Sequence, residues 1–297
     1  MGKLLNILGA ERTGSTLLDV MLSNGSQNFS CGEMAYWYRP IRKHNFFLDC
    51  SCGDTNCQVW KELSNYSQHQ IHNRLLKEYD FVIDSSKNLV WVLDAHDYID
   101  KSHSVINLVT YKDQDNVIFS HWKRRNDIGK YLKSYYQYYQ RLLETEIPFY
   151  SVKHESLVSN ASESMRFICD KLGMAYFKGK EEFWNGDHHF LFGSHGIRQQ
   201  ISRKQSIIYQ REQKSADFYD FLEKNKSELL PNSIPIETIE SRLQQRDISK
   251  STIYINGRSA TVKPAWYYYR KLKWYLKRFY PDNYRIKDVN PTSGKIT

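Results

Sequence analysis

The sequence predicts an α/β fold: a parallel β-sheet of the phosphate-loop (P-loop) type, with helices on both of its faces. Three observations predict it. Residues 9–16 read Gly9-Ala10-Glu11-Arg12-Thr13-Gly14-Ser15-Thr16, a glycine-rich loop. A short apolar run, 4–8, precedes this loop, and a helical pattern over 16–22 follows it. Further apolar runs at 81–83, 105–110 and 149–152 alternate with helix-like stretches at 88–99, 114–125, 128–145 and 160–172. Runs this continuous, separated by helices, read as strands covered on both faces.

The loop has the spacing of the nucleotide-binding pattern G-x-x-x-x-G-K-[ST], but Ser15 stands in the lysine position. Backbone N–H groups and a helix N-terminus would face an anion there, and Arg12 would supply the positive charge. The missing lysine argues against ordinary Mg-ATP hydrolysis, because that side chain normally reaches the β- and γ-phosphates. Ligands of such sheets sit at the carboxyl ends of the strands. This places the loop, Asp84-Ser85-Ser86-Lys87 and Tyr111-Lys112-Asp113 on one rim.

Residues 1–230 read as the core, with the long, Cys-rich and irregular stretch 31–80 as a substrate-side insertion. The pattern changes in 231–297. A hairpin turned by Asn256-Gly257 is expected over 253–258. A basic aromatic helix follows over 265–279, in which Ala265, Tyr268, Tyr269, Leu272, Tyr275, Leu276 and Phe279 fall on one face. That face either docks on the core or lies in an anionic membrane interface.

A net charge of +9 over 297 residues implies an acidic partner. No apolar run approaches the roughly 20 residues needed to span a bilayer, and no signal peptide is expected from the N-terminal residues. A cytoplasmic location is expected, with peripheral contact at the inner membrane surface open through 265–279. Five cysteines, an odd number, fit a reducing compartment. Cys50, Cys52 and Cys57 form C-x-C-x4-C, with Cys31 a candidate fourth member. Structural zinc usually takes two C-x2-4-C pairs. No metal is expected on this pattern, and buried thiols or a loop disulfide are the simpler reading. The histidines at 121, 154, 188 and 189 receive no role.

The order and spacing of the motifs over about residues 3–200 resemble the sulfotransferases that use 3′-phosphoadenylyl sulfate (PAPS), and in particular their bacterial members. Arg12-Thr13-Gly14-Ser15-Thr16 resembles the family's 5′-phosphosulfate loop. Lys112 and Ser120, eight positions apart, resemble its 3′-phosphate motif R-D-P-R-x-x-x-x-S, with lysine in place of the first arginine. Lysine keeps the charge but loses bidentate phosphate geometry. Cys31-Gly32-Glu33, its glutamate 21 positions after Arg12, resembles the C-G-E motif of tyrosylprotein and bacterial members, which carries a catalytic glutamate. Asp84-Ser85-Ser86-Lys87 resembles a bacterial D-S-S-K segment whose lysine stabilises the transferring group. Cys50-Ser51-Cys52-Gly53 with Cys57 and Trp60 resembles a bacterial C-x-C-G…C-x-x-W feature. His188-His189…Gly193…Arg198 is similar to a cofactor segment H-x-x-x-G-N-P-M-R.

The resemblance implies a single sulfotransferase-like domain with a C-terminal helical extension. It implies PAPS as donor, bound by Arg12, Thr13, Gly14, Ser15, Thr16, Lys112, Ser120 and Arg198, and adenosine 3′,5′-bisphosphate as product. Catalysis would fall to Glu33 as general base, with Lys87 and Arg12 stabilising the departing phosphate and no metal required. The acceptor would be a hydroxyl of a glycan, glycolipid or small molecule rather than a nucleic acid. Two other readings stay open: a kinase-like phosphotransferase acting on Mg-ATP, and a non-catalytic anion or membrane-surface binder on a degenerate P-loop scaffold.

Overall fold

A computed structural model describes residues 2–38, 49–205, 214–230, 234–250 and 262–279, with side chains described as far as 273. Strands β1 (Lys3–Leu8), β2 (Asn28–Gly32), β3 (Phe81–Asp84), β4 (Ser104–Tyr111) and β5 (Tyr150–Lys153) form one sheet in the order β2-β3-β1-β4-β5. Every neighbouring pair is parallel. Central β1 sets Leu5 against Ile83 on one side and Ile106 on the other.

Alternation along the strands feeds two cores. Leu4, Leu8, Val82 and Val109 join one apolar cluster, while Leu5, Ile7, Ile83 and Leu108 join a second on the opposite face. Helices α1 (Ser15–Ser23), α2 (Gln58–Leu63), α3 (Ile71–Leu75), α4 (Leu89–Tyr98), α5 (Gln114–Trp122) and α6 (Ile128–Glu144) follow in the first half of the chain. Beyond β5 come α7 (His154–Ser159), α8 (Ala161–Leu172), α9 (His195–Arg203), α10 (Ala216–Leu229), α11 (Ile236–Gln245) and α12 (Ala265–Phe279). The first cluster is covered by α4 and α6 through Trp91, Leu93, Tyr136 and Leu142. The second is covered by α1 and α8 through Leu18, Met21, Met165 and Ile168. The fold is thus α/β with helices on both faces, as the apolar runs predict.

Two local differences bear on the site. Strand β2 has the sequence Asn-Phe-Ser-Cys-Gly, too polar to stand out as an apolar run, and it lies at the sheet edge with β3 as its strand neighbour. The stretch 31–80 is also less irregular than expected, because it begins inside β2 and contains α2 and α3. Past residue 230, α11 still packs on the core: Ile239 and Leu243 join the first cluster, and Tyr136 donates to the Glu240 carboxylate at 2.7 Å. The expected hairpin at 253–258 lies outside the described residues.

Helix α12 docks, but on a different face from the one its apolar spacing suggests. Tyr267 is 1% exposed and donates its hydroxyl to the Asp94 carboxylate on α4. Lys271 pairs with Asp94 at 2.8 Å, and Trp266 Nε1 donates to Glu144 of α6 at 2.8 Å. Tyr268, Tyr269 and Leu272 remain exposed. The two acids on the core pull the polar-tipped side of the helix inward, which apolar periodicity alone does not register. Among the described residues, no helix is long and apolar enough to cross a membrane.

Candidate active site at the strand ends

Each of the five strands ends at a residue of one cleft of about 400 Å³. The loop after β1 brings Arg12, Gly14, Ser15 and Thr16, β2 brings Glu33, β3 brings Lys87, β4 brings Lys112 and β5 brings His154. The order β2-β3-β1-β4-β5 sets β1 in the middle, so its loop faces Lys87 on one side and Lys112 on the other.

The loop adopts a tight backbone with residues at positive φ. Gly14 has φ of 88°, and a Cβ there would lie 2.2 Å from Nδ1 of His154, so neither backbone nor space admits a side chain. Arg12, a non-glycine residue, also has positive φ (70°). Such conformations cost on the order of 1–3 kcal/mol each and cluster where function demands them. Thr13 inside the loop bonds Thr110 of β4 at 2.8 Å, and Ser194 N–H donates to Thr16 Oγ1 at 3.2 Å.

The tyrosines of α6 hold this rim from behind. Tyr138 and Tyr139 hydroxyls accept from the N–H groups of Gly9 and Ala10, each at 3.2 Å. Tyr139 donates to the Thr110 carbonyl at 2.6 Å. Tyr135 accepts from the Lys112 N–H at 3.2 Å and donates to the Lys112 carbonyl at 3.0 Å. One helical face thus fixes both the loop and the Lys112 turn.

A buried carboxylate organises the Lys87 turn. Asp84 accepts from His72 Nε2 at 2.9 Å, Trp91 Nε1 at 2.7 Å and the Ser86 N–H at 2.9 Å. Burial works to raise its pKa, but His72, Ser86 and Trp91 outweigh it and hold the carboxyl below its usual value. Ser86 in turn accepts from the N–H of Ala35, two residues past Glu33, at 2.9 Å. Lys87 then emerges with φ of 59° and ion-pairs with Glu33 through Nζ and Oε1.

The cleft carries unneutralised positive charge. Burial, together with Arg12, Arg124 and Lys123 and against Glu155, lowers the Lys112 pKa to about 8. Burial and Arg124 likewise lower that of Arg12. The same charges act on two imidazoles: burial and Lys112 bring His154 to about 3, and burial with Arg12, Arg124 and Lys112 brings His121 to about 4. Both are therefore neutral near neutral pH, and Nδ1 of His154 has no hydrogen-bond partner among the described residues. Such a site favours an anion.

Two of the residues singled out from sequence stand apart. Ser120 does not line this cleft. It is the seventh residue of α5, near the helix end rather than its start, and its carbonyl and hydroxyl accept from Arg124 at 2.6 and 3.2 Å. The helix start therefore lends it no favourable dipole. Arg198 lines a different cavity, where it pairs with Asp49 and donates to the Cys50 carbonyl at 2.7 Å. His154, which the motifs do not include, lines the cleft, and Arg124, also outside them, adds its charge to the field at Arg12 and Lys112. Arg124 could have been found as the residue one helical turn after Ser120, and His154 as the residue after the fifth strand. The cysteines also gain a member: Cys50, Cys52 and Cys57 gather with His189 rather than Cys31.

A second cavity of about 300 Å³ adjoins the first and shares Glu11, Tyr36 and Lys87 with it. Tyr131, Tyr135, Tyr138, Arg141 and Arg270 line its other side.

No family model and no curated protein matches the chain. Solved structures do. The sulfotransferase domain from the curacin biosynthetic pathway superposes with a TM-score of 0.52 at 18% identity, covering 82% of this chain and 98% of that one. The chain has a sulfotransferase-like fold. Two further similar structures are the sulfotransferase domain from the Synechococcus PCC 7002 olefin synthase and a sulfotransferase from Alicyclobacillus acidocaldarius. The first has a TM-score of 0.48 at 17% identity, covering 76% of this chain and 94% of that one. The second has 0.41 at 13%, covering 82% and 96%.

Proposed function

We propose that the chain is a sulfotransferase that moves the sulfuryl group of PAPS to a hydroxyl acceptor, a glycan, glycolipid or small natural product. The observation that carries this reading is the convergence of Arg12, Glu33, Lys87 and Lys112 on one cleft at the strand ends. The donor has two anionic ends, a 5′-phosphosulfate and a 3′-phosphate. Such ends suit the cleft, because burial and neighbouring cations, against Glu11 and Glu155, lower the pKa values of both Arg12 and Lys112, and a bound anion would relieve that. Arg12 with the 13–16 turn would hold the phosphosulfate, and Lys112 with Arg124 the 3′-phosphate. The adjoining tyrosine-lined cavity would take the acceptor.

The reaction is an in-line displacement at sulfur. Glu33 takes the proton from the acceptor hydroxyl as its oxygen forms a bond to sulfur. The bond between sulfur and the bridging oxygen breaks, and its electron pair stays on the 5′-phosphate of adenosine 3′,5′-bisphosphate. Lys87 leaves Glu33 and stabilises that oxygen together with Arg12, so one movement frees the base and neutralises the leaving group. Glu33 then returns its proton to solvent. A sulfuryl group carries less charge than a phosphoryl group, so cationic side chains suffice in this scheme.

The test is a donor and acceptor screen. Adenosine 3′,5′-bisphosphate should raise the melting temperature, and incubation with PAPS and a hydroxyl panel should give a product heavier by one sulfuryl group. Stabilisation by Mg-ATP alone, with transfer of phosphate, would replace this reading with a kinase-like one.

A further inference from the structure

We propose that Cys50, Cys52, Cys57 and His189 bind a structural zinc ion that fastens the segment around His189 to the 50–57 turn, beside the strand end that carries Glu33. One ligand atom from each of the four residues lies within 4.8 Å of all the others. His189 Nδ1 is 3.3 Å from Cys57 Sγ and 3.9 Å from Cys50 Sγ. A tetrahedral zinc with bonds of about 2.3 Å to sulfur and 2.0 Å to nitrogen separates such ligands by roughly 3.5 Å. The observed separations bracket that value. Three thiolates and one imidazole form a soft, closed donor set that suits zinc over calcium or magnesium.

The backbone around the cluster is built to present these atoms. Gly53, with φ of 80°, closes a turn in which its N–H donates to the Cys50 carbonyl at 3.1 Å, bringing Cys50 and Cys52 round the same point. Cys57 follows as the cap of α2. The fourth ligand arrives from 139 residues along the chain, counted from Cys50. Ser51 N–H donates to the Phe190 carbonyl at 2.9 Å, and the Ser51 hydroxyl to the His188 carbonyl at 2.8 Å. Trp60 Nε1 donates to the His189 carbonyl. Both the main chain and the indole thus orient this imidazole.

Zinc would bind the three sulfurs as thiolates, their protons passing to solvent. The consequence reaches the catalytic cleft. Leu191, two residues past His189, bridges both Cys50 and Gly32, and its carbonyl accepts from the N–H of Glu33 at 2.8 Å.

The full chain, purified under reducing conditions, should carry about one zinc per chain by elemental mass spectrometry. Cobalt(II) added to the chelator-stripped protein should give the intense visible bands of a tetrahedral thiolate site. Cys52 is solvent-exposed, so Cys52→Ala leaves the packing almost untouched and tests the ligand itself. Loss of a residue that merely supports a metal ligand costs about 10- to 100-fold in affinity, so loss of this ligand should weaken cobalt binding more than tenfold. Zinc removal should also lower the melting temperature, and zinc but not magnesium should restore it. A metal-free chain whose stripped form gives only weak octahedral cobalt bands, unchanged by Cys52→Ala, overturns the proposal. A disulfide among the three cysteines in the reduced preparation overturns it as well.

Discussion

Lys87 and Glu33 form an ion pair across the mouth of the cleft, one from the end of β3 and the other from the end of β2. Lys87 holds it with a backbone φ of 59°, a conformation that a bulky residue adopts only under constraint. The pair implies a division of labour that mutants can separate. Glu33→Gln should keep bisphosphate binding, measured by calorimetry, and lower kcat by about 10²- to 10⁴-fold. Lys87→Ala should cost roughly 10²- to 10³-fold in kcat. Wild-type turnover in Glu33→Gln would remove it from the base role.

Lys112 should make donor binding pH-dependent. Its pKa is lowered to about 8, so the ammonium is charged below that pH and lost above it. Affinity for adenosine 3′,5′-bisphosphate should therefore hold between pH 6 and 7 and weaken as pH rises through about 8. Lys112→Arg keeps the charge and should flatten this profile. An unchanged slope in that variant would place the titrating group elsewhere.

Arg124 is expected to share the phosphate with Lys112. A hydrogen bond to a charged group contributes about 1.5–3 kcal/mol, so Arg124→Ala should weaken bisphosphate binding by roughly 10- to 100-fold. The same variant removes a charge that depresses Lys112. Its pH profile should shift to higher pH, an effect that loss of a mere surface contact would not produce.

Asp19, buried on α1 and bonded to Ser85 at 2.5 Å, has its pKa raised to about 7, chiefly by burial. In this window the folded state binds a proton that the unfolded state has released. Stability should therefore be greatest at low pH with respect to this group, fall as pH rises from about 4 to about 7, and level off above. Asp19→Asn removes that loss. Its melting temperature should exceed the wild type's by several degrees at pH 8 and by little at pH 5. Equal shifts at both values would refute the assignment.

Arg270 reaches the second cavity from the C-terminal helix. Arg270→Ala should raise KM for the acceptor and leave bisphosphate affinity alone. Asp94→Asn, which removes the charge that Lys271 pairs with, should act in the same direction by loosening α12.

How much was legible in the sequence follows from what each element depends on. β1, β3, β4 and β5 are covered on both faces or close to it, so their apolar runs show directly. β2 escapes because a five-residue edge strand with asparagine, serine and glycine has no run to show. Arg12, Glu33, Lys87 and Lys112 share a cleft because each lies at or in the short loop after a strand end, and strand ends are local features. Ser120 and Arg198 depend on spacing along helices and loops, where a shift of a single residue swings the side chain by about 100°. His189 and Cys50 meet only because distant segments lie side by side, and no local pattern encodes that. The docked face of α12 was hidden for a similar reason, since Asp94 and Glu144 lie on other helices.

The tyrosines of α6 set a length as well as a support. Tyr138 and Tyr139 grip the loop, and Tyr135, one turn earlier, grips the Lys112 turn at both its N–H and its carbonyl. A helix has a fixed rise of about 1.5 Å per residue, so this face works as a calliper between the two cationic seats. A nucleotide whose charged ends are set closer together or farther apart would find one jaw misplaced. Donor choice would then be gauged by a helix that need not touch either anionic end.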